Sequence, residues 1–342
     1  MILGIGIRRN WRRLKNNLMP GGFILLYHRV ADADSDPWSL SVSPQHFAEH
    51  LEVLRKYTRP LQLEQLNQDI EAKKPLNRRV AITFDDGYAD NFHNAKPLLE
   101  RYDIPATVFV TSGYVGNEYE FWWDELERVF LQPQTLPDSL ELCIDGTNYY
   151  WELGEASDYS QNDYQRHRDW QIEQPPPSVR HFLYFYLWQL LRPMLDSDRR
   201  TVLDALLAWA GAESKSRPTH RPMTVAEVSA LEQGELIQVG CHTITHPFLS
   251  ALPVNLQHSE IEQSKVQLEE ILGHQVNTFA YPFGAYTSQT VDVVREVGFT
   301  CACSTIPESV RRSCDRFQLP RVEVQNWDGD EFARRLSRWF DV

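Results

Sequence analysis

Several features that would define other classes of protein are scarce in this 342-residue sequence. Its five cysteines are few and odd in number, which argues against a disulfide framework and favours a reducing compartment. No uninterrupted apolar run is long enough to span a bilayer. Basic residues are the minority, because 34 Lys and Arg against 47 Asp and Glu give a net charge of −13. An acidic chain is not expected to bind nucleic acid, because binding of the phosphate backbone depends on an excess of Lys and Arg.

Positive charge is concentrated in residues 1–20. They begin with a short apolar stretch, and the cations that follow it are Arg8, Arg9, Arg12, Arg13 and Lys15. A signal peptide has the reverse order, so we expect a cytoplasmic location or one at the inner membrane surface. We interpret this basic segment as a helix packed on the domain, with peripheral membrane contact as the alternative.

Strand-like runs alternate with helical patterns along most of the chain. Helix starts are indicated by Ser43-Pro44 and by a capping box of Thr224 with Glu227, and Pro97 must bend or delay a helix over 90–102. The predicted strands are 23–27, 80–84, 106–110, 236–239, 277–281, 299–303 and 317–324. Such alternation predicts an α/β protein with a parallel sheet, and seven strands favour barrel-like closure.

One region interrupts the alternation. Residues 113–222 are rich in aromatic side chains and include Pro175-Pro-Pro177, a stiff break. We predict a mostly helical insertion here, with helical patterns over 122–130 and 182–209. The predicted organisation is therefore a basic segment (1–20), two parts of one domain (21–112 and 223–342) and the insertion between them.

Three short motifs follow predicted strands, where α/β proteins build their sites. Asp85-Asp86-Gly87 places two carboxylates side by side, and a cation is the natural companion of two such buried charges. The alternative for this pair is a turn with two solvated acids.

His242 and His246 follow the strand over 236–239 and are four residues apart, a spacing at which two imidazoles can face one metal. The alternative is one core and one surface histidine. In the third motif, Tyr281-Pro282-Phe283-Gly284, a rigid turn could aim backbone N–H groups into a cleft as an oxyanion hole.

Together the motifs resemble those of the polysaccharide deacetylases, the metal-dependent sugar deacetylases of carbohydrate esterase family four. Thr83-Phe84-Asp85-Asp86-Gly87 matches the first family motif, His242-Thr243-Ile244-Thr245-His246 the second, and Tyr281-Pro282-Phe283-Gly284 the core of the third. The resemblance covers about residues 22–112 and 222–325. It implies a distorted (β/α)7 barrel interrupted by the insertion.

The resemblance also implies a role for each motif. Asp86, His242 and His246 would hold one divalent metal ion, with zinc foremost and cobalt, nickel or iron as alternatives. Asp85 would be the general base. The backbone N–H of Phe283 would help to stabilise the tetrahedral oxyanion.

Two positions depart from the family pattern. Many members have an arginine where this chain has Ala280, and a late histidine where this chain has a strand without one. Arg321 could contact Asp85 in place of the missing arginine. His28 could supply the acid, as is thought for a subgroup that resembles exopolysaccharide deacetylases and includes poly-N-acetylglucosamine among its substrates. The alternatives are a structural ion pair for Arg321 and a core histidine for His28.

These inferences predict a metal-dependent hydrolase that removes an N-acetyl group from an N-acetylated carbohydrate, either a polysaccharide or its lipid-linked precursor, and releases acetate. The alternatives are a carbohydrate O-acetyl esterase with the same site and a catalytically silent glycan-binding relative. The intact set of Asp85, Asp86, His242 and His246 argues against the silent protein.

Overall fold

The structure, a computed structural model, describes residues 21–212 and 216–340, which form two compact units. Unit 1 takes in the described residues of 1–32, 41–115 and 223–342, and unit 2 those of 33–40 and 116–222. The basic segment predicted over 1–20 lies outside the described residues. None of the helices in the described ranges is both long and apolar enough to cross a bilayer.

Within the described residues of unit 1, seven parallel strands form one sheet. In chain order they are β1 (Phe23–Tyr27), β2 (Arg79–Phe84), β3 (Ala106–Val110), β4 (Ile237–Cys241), β5 (Thr278–Ala280), β6 (Cys301–Cys303) and β7 (Val322–Glu323). Their spatial order is β6–β5–β4–β3–β2–β1–β7, and a short strand, Arg59–Pro60, pairs beside the start of β2.

The chain that leads into β7 connects the two edges of this sheet. Leu319 bridges Cys303 of β6 in parallel, and Val322 pairs with Leu25 of β1. The sheet therefore curls into a barrel of seven strands with helices between them. The predicted α/β barrel is confirmed, and every strand ends on the same side because all strands are parallel.

In the described part of unit 1, seven α-helices cover the barrel. The first one shows why they form: Ser43 caps it by accepting from the backbone N–H of His46, and Phe47, Leu51 and Leu54 follow at helical spacing. Burying each of these three side chains stabilises the fold by about 2 kcal/mol relative to exposure. The helices are Pro44–Tyr57, Leu63–Glu71, Lys96–Tyr102, Val225–Leu231, Val254–Leu272, Ser288–Glu296 and Gly329–Phe340.

Two predicted elements differ in detail. The helix predicted over 90–102 begins as a π-helical turn, Asn91–Ala95, and continues as an α-helix only from Lys96, because Pro97 has no N–H for the regular ladder. The strand predicted over 317–324 reduces to Val322–Glu323. There Pro320 lacks a donor, and the N–H of Arg321 binds the carbonyl of Ile306 instead of a neighbouring strand.

The residues of unit 2 that the structure describes form four α-helices, as a mostly helical insertion predicts, and a β-hairpin, which the sequence analysis did not identify. The hairpin strands, Ser139–Ile144 and Thr147–Glu152, are joined by Asp145-Gly146, and both turn residues have positive φ (48° and 73°), as a two-residue turn of type I′ requires. Residues 33–40 also belong to this unit, where the ring centroids of Trp38 and Trp188 are 4.2 Å apart. The helices are Trp122–Leu131, Gln161–His167, Val179–Leu191 and Asp196–Ala210.

The remaining elements are short. Arg29–Val30 pairs with Ser41–Val42 in unit 1, and Gln134–Thr135 pairs with Asp158–Tyr159 in unit 2. Single 3₁₀ turns are Ser112–Tyr114, Gly154–Ser157, Leu249–Ala251 and Pro282–Gly284.

Candidate metal centre and active site

The site lies where the chain leaves β2, β4 and β5. Left-handed backbone is concentrated there: Asp86, Thr243, His246 and Phe283 have φ values of 74°, 65°, 54° and 56°. Residues other than glycine seldom adopt this conformation, which costs on the order of 1 kcal/mol or more each unless the surroundings enforce it. Four such residues in three neighbouring loops indicate that the surrounding structure holds the backbone in the conformation that directs these side chains into the site.

Asp86, His242 and His246 form a compact set of donors. One carboxylate oxygen of Asp86 lies 3.3 Å from Nε2 of His246 and 3.6 Å from Nε2 of His242. All three residues are buried, and one donor atom from each lies within 4.8 Å of the others. Two imidazoles and a carboxylate in this arrangement suit a divalent transition metal, and such a set of three leaves coordination positions open for other ligands.

A backbone carbonyl orients the first histidine. Nδ1 of His242 lies 2.8 Å from the carbonyl oxygen of Ala280, and since a carbonyl only accepts, Nδ1 must be the protonated nitrogen. Nε2 of the neutral ring is then free of a proton and available as a ligand. Burial lowers the pKa of His242 to about 4, although Asp85 and Asp86 oppose this shift, so the ring is neutral at physiological pH.

The second histidine lies on a loop held by a carboxylate from the following helix. Glu260 accepts from the backbone N–H groups of Ile244 and Thr245, each at 2.9 Å, and from the hydroxyl of Thr245 at 2.8 Å. The hydroxyl of Thr243 accepts from the backbone N–H of His246 at 3.1 Å. The sequence analysis did not identify Glu260. A glutamate in a helix, sixteen residues from Ile244, shows no sequence pattern that would indicate a hydrogen bond to this loop.

Asp85 points to a different partner from Asp86. Its two carboxylate oxygens accept from the two terminal nitrogens of Arg321, at 2.6 and 2.7 Å. Arg321 also donates to the carbonyl of Ser304 and to the hydroxyl of Thr83, and it is fully buried. The contact anticipated between Arg321 and Asp85 is thus present as a bidentate pair.

Charge around Asp85 keeps it ionised. Burial alone would raise its pKa, but Arg321 foremost, with His242 and His28, lowers the pKa to about 2. One oxygen of Asp85 remains 3.9 Å from Nε2 of His242, so the carboxylate faces the three donors of the candidate metal set.

His28 directly follows β1 and is half-buried at the same end of the barrel. Its carbonyl accepts from the side-chain amide of Asn91, which fixes the backbone there. The charge of His28 acts on both aspartates. Burial raises the pKa of Asp86, but hydrogen bonding to His246 and the charges of His246, His28 and His242 lower it overall. His28 therefore lies within electrostatic reach of Asp85 and Asp86.

Phe283 closes the site on the β5 side. Its ring packs edge-on against that of His246, with centroids 4.4 Å apart. The left-handed φ of 56° at Phe283 turns the backbone of Pro282–Gly284 sharply after β5. The structure therefore brings all seven predicted site residues to one region of unit 1.

Comparison with known proteins agrees with this geometry. The polysaccharide deacetylase family model matches residues 72–136 and 212–302. YxkH of Bacillus subtilis (strain 168), whose name assigns it to the polysaccharide deacetylases, is 31% identical over 303 residues, which are 88% of this chain and 70% of that protein. The poly-beta-1,6-N-acetyl-D-glucosamine N-deacetylase of Staphylococcus aureus (strain MSSA476) is 32% identical over 107 residues, 28% of this chain and 37% of that protein.

A solved structure, IcaB from Ammonifex degensii, aligns with a TM-score of 0.57 at 19% identity and covers 94% of this chain and 97% of that one, which supports the fold. The chain belongs to the polysaccharide deacetylase family. The predicted family, barrel fold and deacetylase class of enzyme are therefore confirmed. The stretch between the two matched segments, 137–211, falls within unit 2.

Proposed function

We propose that this chain is a metal-dependent N-deacetylase of a polymer of N-acetylated sugars. The observation that carries the proposal is the placement of Asp85, ionised and held by Arg321, directly beside the buried set of Asp86, His242 and His246. That set fits a divalent cation, because the Nε2 atom of the neutral His242 ring is free of a proton and faces Asp86. When bound there, such a cation lowers the pKa of a water molecule and polarises the acetyl carbonyl.

Asp85 is the group that accepts a proton from the attacking water. Its hydrogen bonds to Arg321 use one lone pair on each oxygen, and a carboxylate has further lone pairs for a proton. Arg321 keeps Asp85 ionised and fixes its direction, so the base is ready without rearrangement. Both residues are buried, which strengthens this electrostatic arrangement relative to water.

Charge that develops on the acetyl oxygen needs a hydrogen-bond donor. We assign this role to the backbone N–H of Phe283, because this residue lies in the sharp turn after β5 and its ring packs against that of His246. The departing nitrogen needs a proton, since an amide anion is a very poor leaving group. His28 is the proposed donor because it is only partly buried at the carboxyl end of β1 and its charge acts on both Asp85 and Asp86.

The named substrate of one relative supports the substrate class that we propose. The Staphylococcus aureus relative is named for poly-beta-1,6-N-acetyl-D-glucosamine, and we propose a polymer or lipid-linked oligomer of N-acetylhexosamine for this chain. Zinc is the proposed metal, with cobalt, nickel and iron as alternatives that the same donors accept.

The test is acetate release from N-acetylglucosamine oligomers, measured on protein stripped with a chelator and reloaded with Zn²⁺, Co²⁺, Ni²⁺ or Fe²⁺. We expect no release from the stripped protein and recovery on reloading. An O-acetylated sugar is tested in parallel. If acetate is released from the ester alone, the chain is an esterase, and full activity after stripping would refute the metal role.

A further inference from the structure

Four aromatic side chains of unit 2 form a continuous row that the core of this unit only partly covers. We call this row the aromatic strip, and its members are Tyr149, Trp151, Tyr186 and Phe182. The rings of Tyr149 and Trp151 are stacked with their centroids 5.4 Å apart. The ring of Trp151 meets that of Tyr186 edge-on at 5.9 Å, and Tyr186 stacks on Phe182 at 5.5 Å. Phe182 is 44% exposed and the other three are half-buried, so the strip is accessible to solvent.

A hairpin and a helix hold the strip in place. Its two hairpin members are two residues apart in the strand Thr147–Glu152, opposite the buried side chains of Leu142 and Leu140. Side chains that face each other across an antiparallel pair share one face of it, so these rings lie on the packed face of the hairpin. The other two members are one turn apart in the helix Val179–Leu191. Anchored aromatic rings offer contact area to a ligand at little cost in conformational entropy.

The polar atoms of the strip are available to a ligand. Within the part of the chain that the structure describes, the hydroxyls of Tyr149 and Tyr186 and the indole N–H of Trp151 have no hydrogen-bond partner. By contrast, the indole N–H of Trp209 in the same unit donates to the carbonyl of Ser139 at 2.8 Å. Ring faces with open polar edges match a sugar, which has apolar C–H faces and a rim of hydroxyl groups.

The hairpin that carries half of the strip is acidic. Unit 2 has 20 Asp and Glu against 10 Lys and Arg, so it accounts for −10 of the net charge of −13. Residues 139–157 contain no Lys or Arg, and none of their exposed carboxylates forms an ion pair with another described residue. These carboxylates are Glu141, Asp145, Glu152 and Glu155. Their charge favours a ligand that carries positive charge.

The cations of the helix Val179–Leu191 and of its end do not neutralise these carboxylates by pairing. Arg180 is fully buried and donates to the carbonyl groups of Ala156 and Ser157. Arg192, just after the helix, lies over the ring of Trp188. The negative charge of the hairpin therefore remains available at its surface.

We propose that the aromatic strip binds the partly deacetylated sugar polymer, which is the product of the proposed reaction. The inference rests on the proposed function, because hydrolysis of each amide releases acetate and leaves an amine that takes up a proton. The rings pack on the apolar faces of the sugar units, and the carboxylates of the hairpin attract the protonated amines. A polymer held at this second point keeps its remaining acetylated units at a high effective concentration, so several acetyl groups are removed before it leaves.

The test is calorimetric titration of the metal-loaded full chain with two hexamers. A hexamer of glucosamine carries protonated amines and has no acetyl group to lose, and a hexamer of glucose is its neutral counterpart. We expect tighter binding of the glucosamine hexamer, with a difference that shrinks as the salt concentration rises. Trp151→Ala should weaken the binding of both hexamers by about 10-fold or more, as is usual for a central aromatic contact. Trp151→Phe keeps a ring and should lose less.

Tyr150→Ala is the matched control. Tyr150 is 57% exposed on the other face of the same strand, so this variant should bind both hexamers like the unchanged protein. The double variant Glu152→Gln/Glu155→Gln should lose affinity for the glucosamine hexamer alone. Thermal unfolding verifies that all variants are folded.

Equal affinities of Trp151→Ala and Tyr150→Ala, or no binding of the glucosamine hexamer to the full chain, would overturn the proposal. Equal affinities of the full chain for the two hexamers would also overturn it, because the preference for free amines would be absent. Acetate release from N-acetylglucosamine oligomers tests the proposed function separately. Release without binding of the glucosamine hexamer refutes the strip alone, whereas binding without release refutes the deacetylase.

Discussion

Asp85 and Asp86 are neighbours in sequence and equally buried, at 3% exposure each, yet they have different partners. Asp85 is paired with the guanidinium of Arg321, whereas Asp86 faces two imidazoles. The left-handed backbone of Asp86, with φ of 74°, turns its side chain away from the direction that Asp85 takes at the end of β2. Two adjacent residues are thus suited to different roles, Asp85 as the candidate base and Asp86 as a candidate metal ligand.

The two aspartates should respond differently to substitution. Asp85→Asn removes the base but no ligand, so acetate release should fall by roughly 10²–10⁴-fold while the metal content is unchanged. Asp86→Ala removes a ligand, and the metal itself should be lost. Metal analysis by mass spectrometry alongside kcat/KM verifies both, and equal metal loss in the two variants would contradict these assignments.

His28 gives a prediction about the leaving group. His28→Ala should lower turnover of an N-acetyl sugar by roughly 10²–10⁴-fold, because the departing amine needs a proton. An acetate ester of 4-nitrophenol has a leaving group that departs without protonation, so its hydrolysis should change far less. The comparison of kcat for the two substrates is the measurement. Equal loss on both would remove His28 from the role of acid.

At the scale of elements, the loop after β4 depends on the helix Val254–Leu272 that follows it. Glu260 of that helix holds two backbone N–H groups of the loop, and the loop contains two left-handed residues, Thr243 and His246. Loss of this charged acceptor would therefore favour relaxation of the backbone toward ordinary φ values. Glu260 is therefore a positioning residue for His246.

Glu260→Gln should weaken the affinity for Zn²⁺ by about 10-fold or more, the usual effect of losing the support of a metal ligand. Calorimetric titration of the stripped protein with Zn²⁺ measures this directly and does not depend on activity. Glu262→Gln, two residues further along the same helix and more than half exposed, is the matched control. Affinities that agree for the two variants would show that Glu260 has only a structural role.

The elements also show which parts of the fold a sequence can predict. Strand cores such as 23–27 and 106–110 were predicted correctly because β-branched or apolar runs bury on both faces of a parallel sheet. The convergence of three motifs was predictable because parallel strands end together. The support from Glu260 and from the carbonyl of Ala280 was not, since both depend on loop conformations that residue types alone do not specify.

At the scale of the whole molecule, a histidine is buried between the helices Pro44–Tyr57 and Gly329–Phe340, and it is neutral at physiological pH. His50 is fully buried, lies 2.7 Å from the carbonyl of Trp327 and stacks on Phe332 at 4.1 Å. Burial lowers its pKa to about 4, although the bond to Trp327 opposes the shift. The folded state therefore binds a proton less readily at His50 than the unfolded state, whose pKa is about 6.5.

The lowered pKa of His50 makes the folded state less stable as the pH falls. The contribution of His50 is complete above about pH 6.5 and is lost as pH falls toward 4, because only the unfolded chain gains the proton. The loss is on the order of 3 kcal/mol. We expect the urea midpoint to fall between pH 7 and 5, and less so in His50→Gln than in the control His46→Gln on the same helix. Identical pH dependence in the two variants would be the contrary result.

The chain segment that closes the barrel also carries Arg321, 236 residues after Asp85, its partner. During synthesis the two aspartates, and later both histidines, therefore leave the ribosome before Arg321, whose guanidinium orients the proposed base. Until this segment is inserted between β6 and β1, Asp85 lacks the partner that fixes its direction. We therefore expect hydrolytic competence to coincide with closure of the barrel, so that the order of synthesis keeps the nascent enzyme silent.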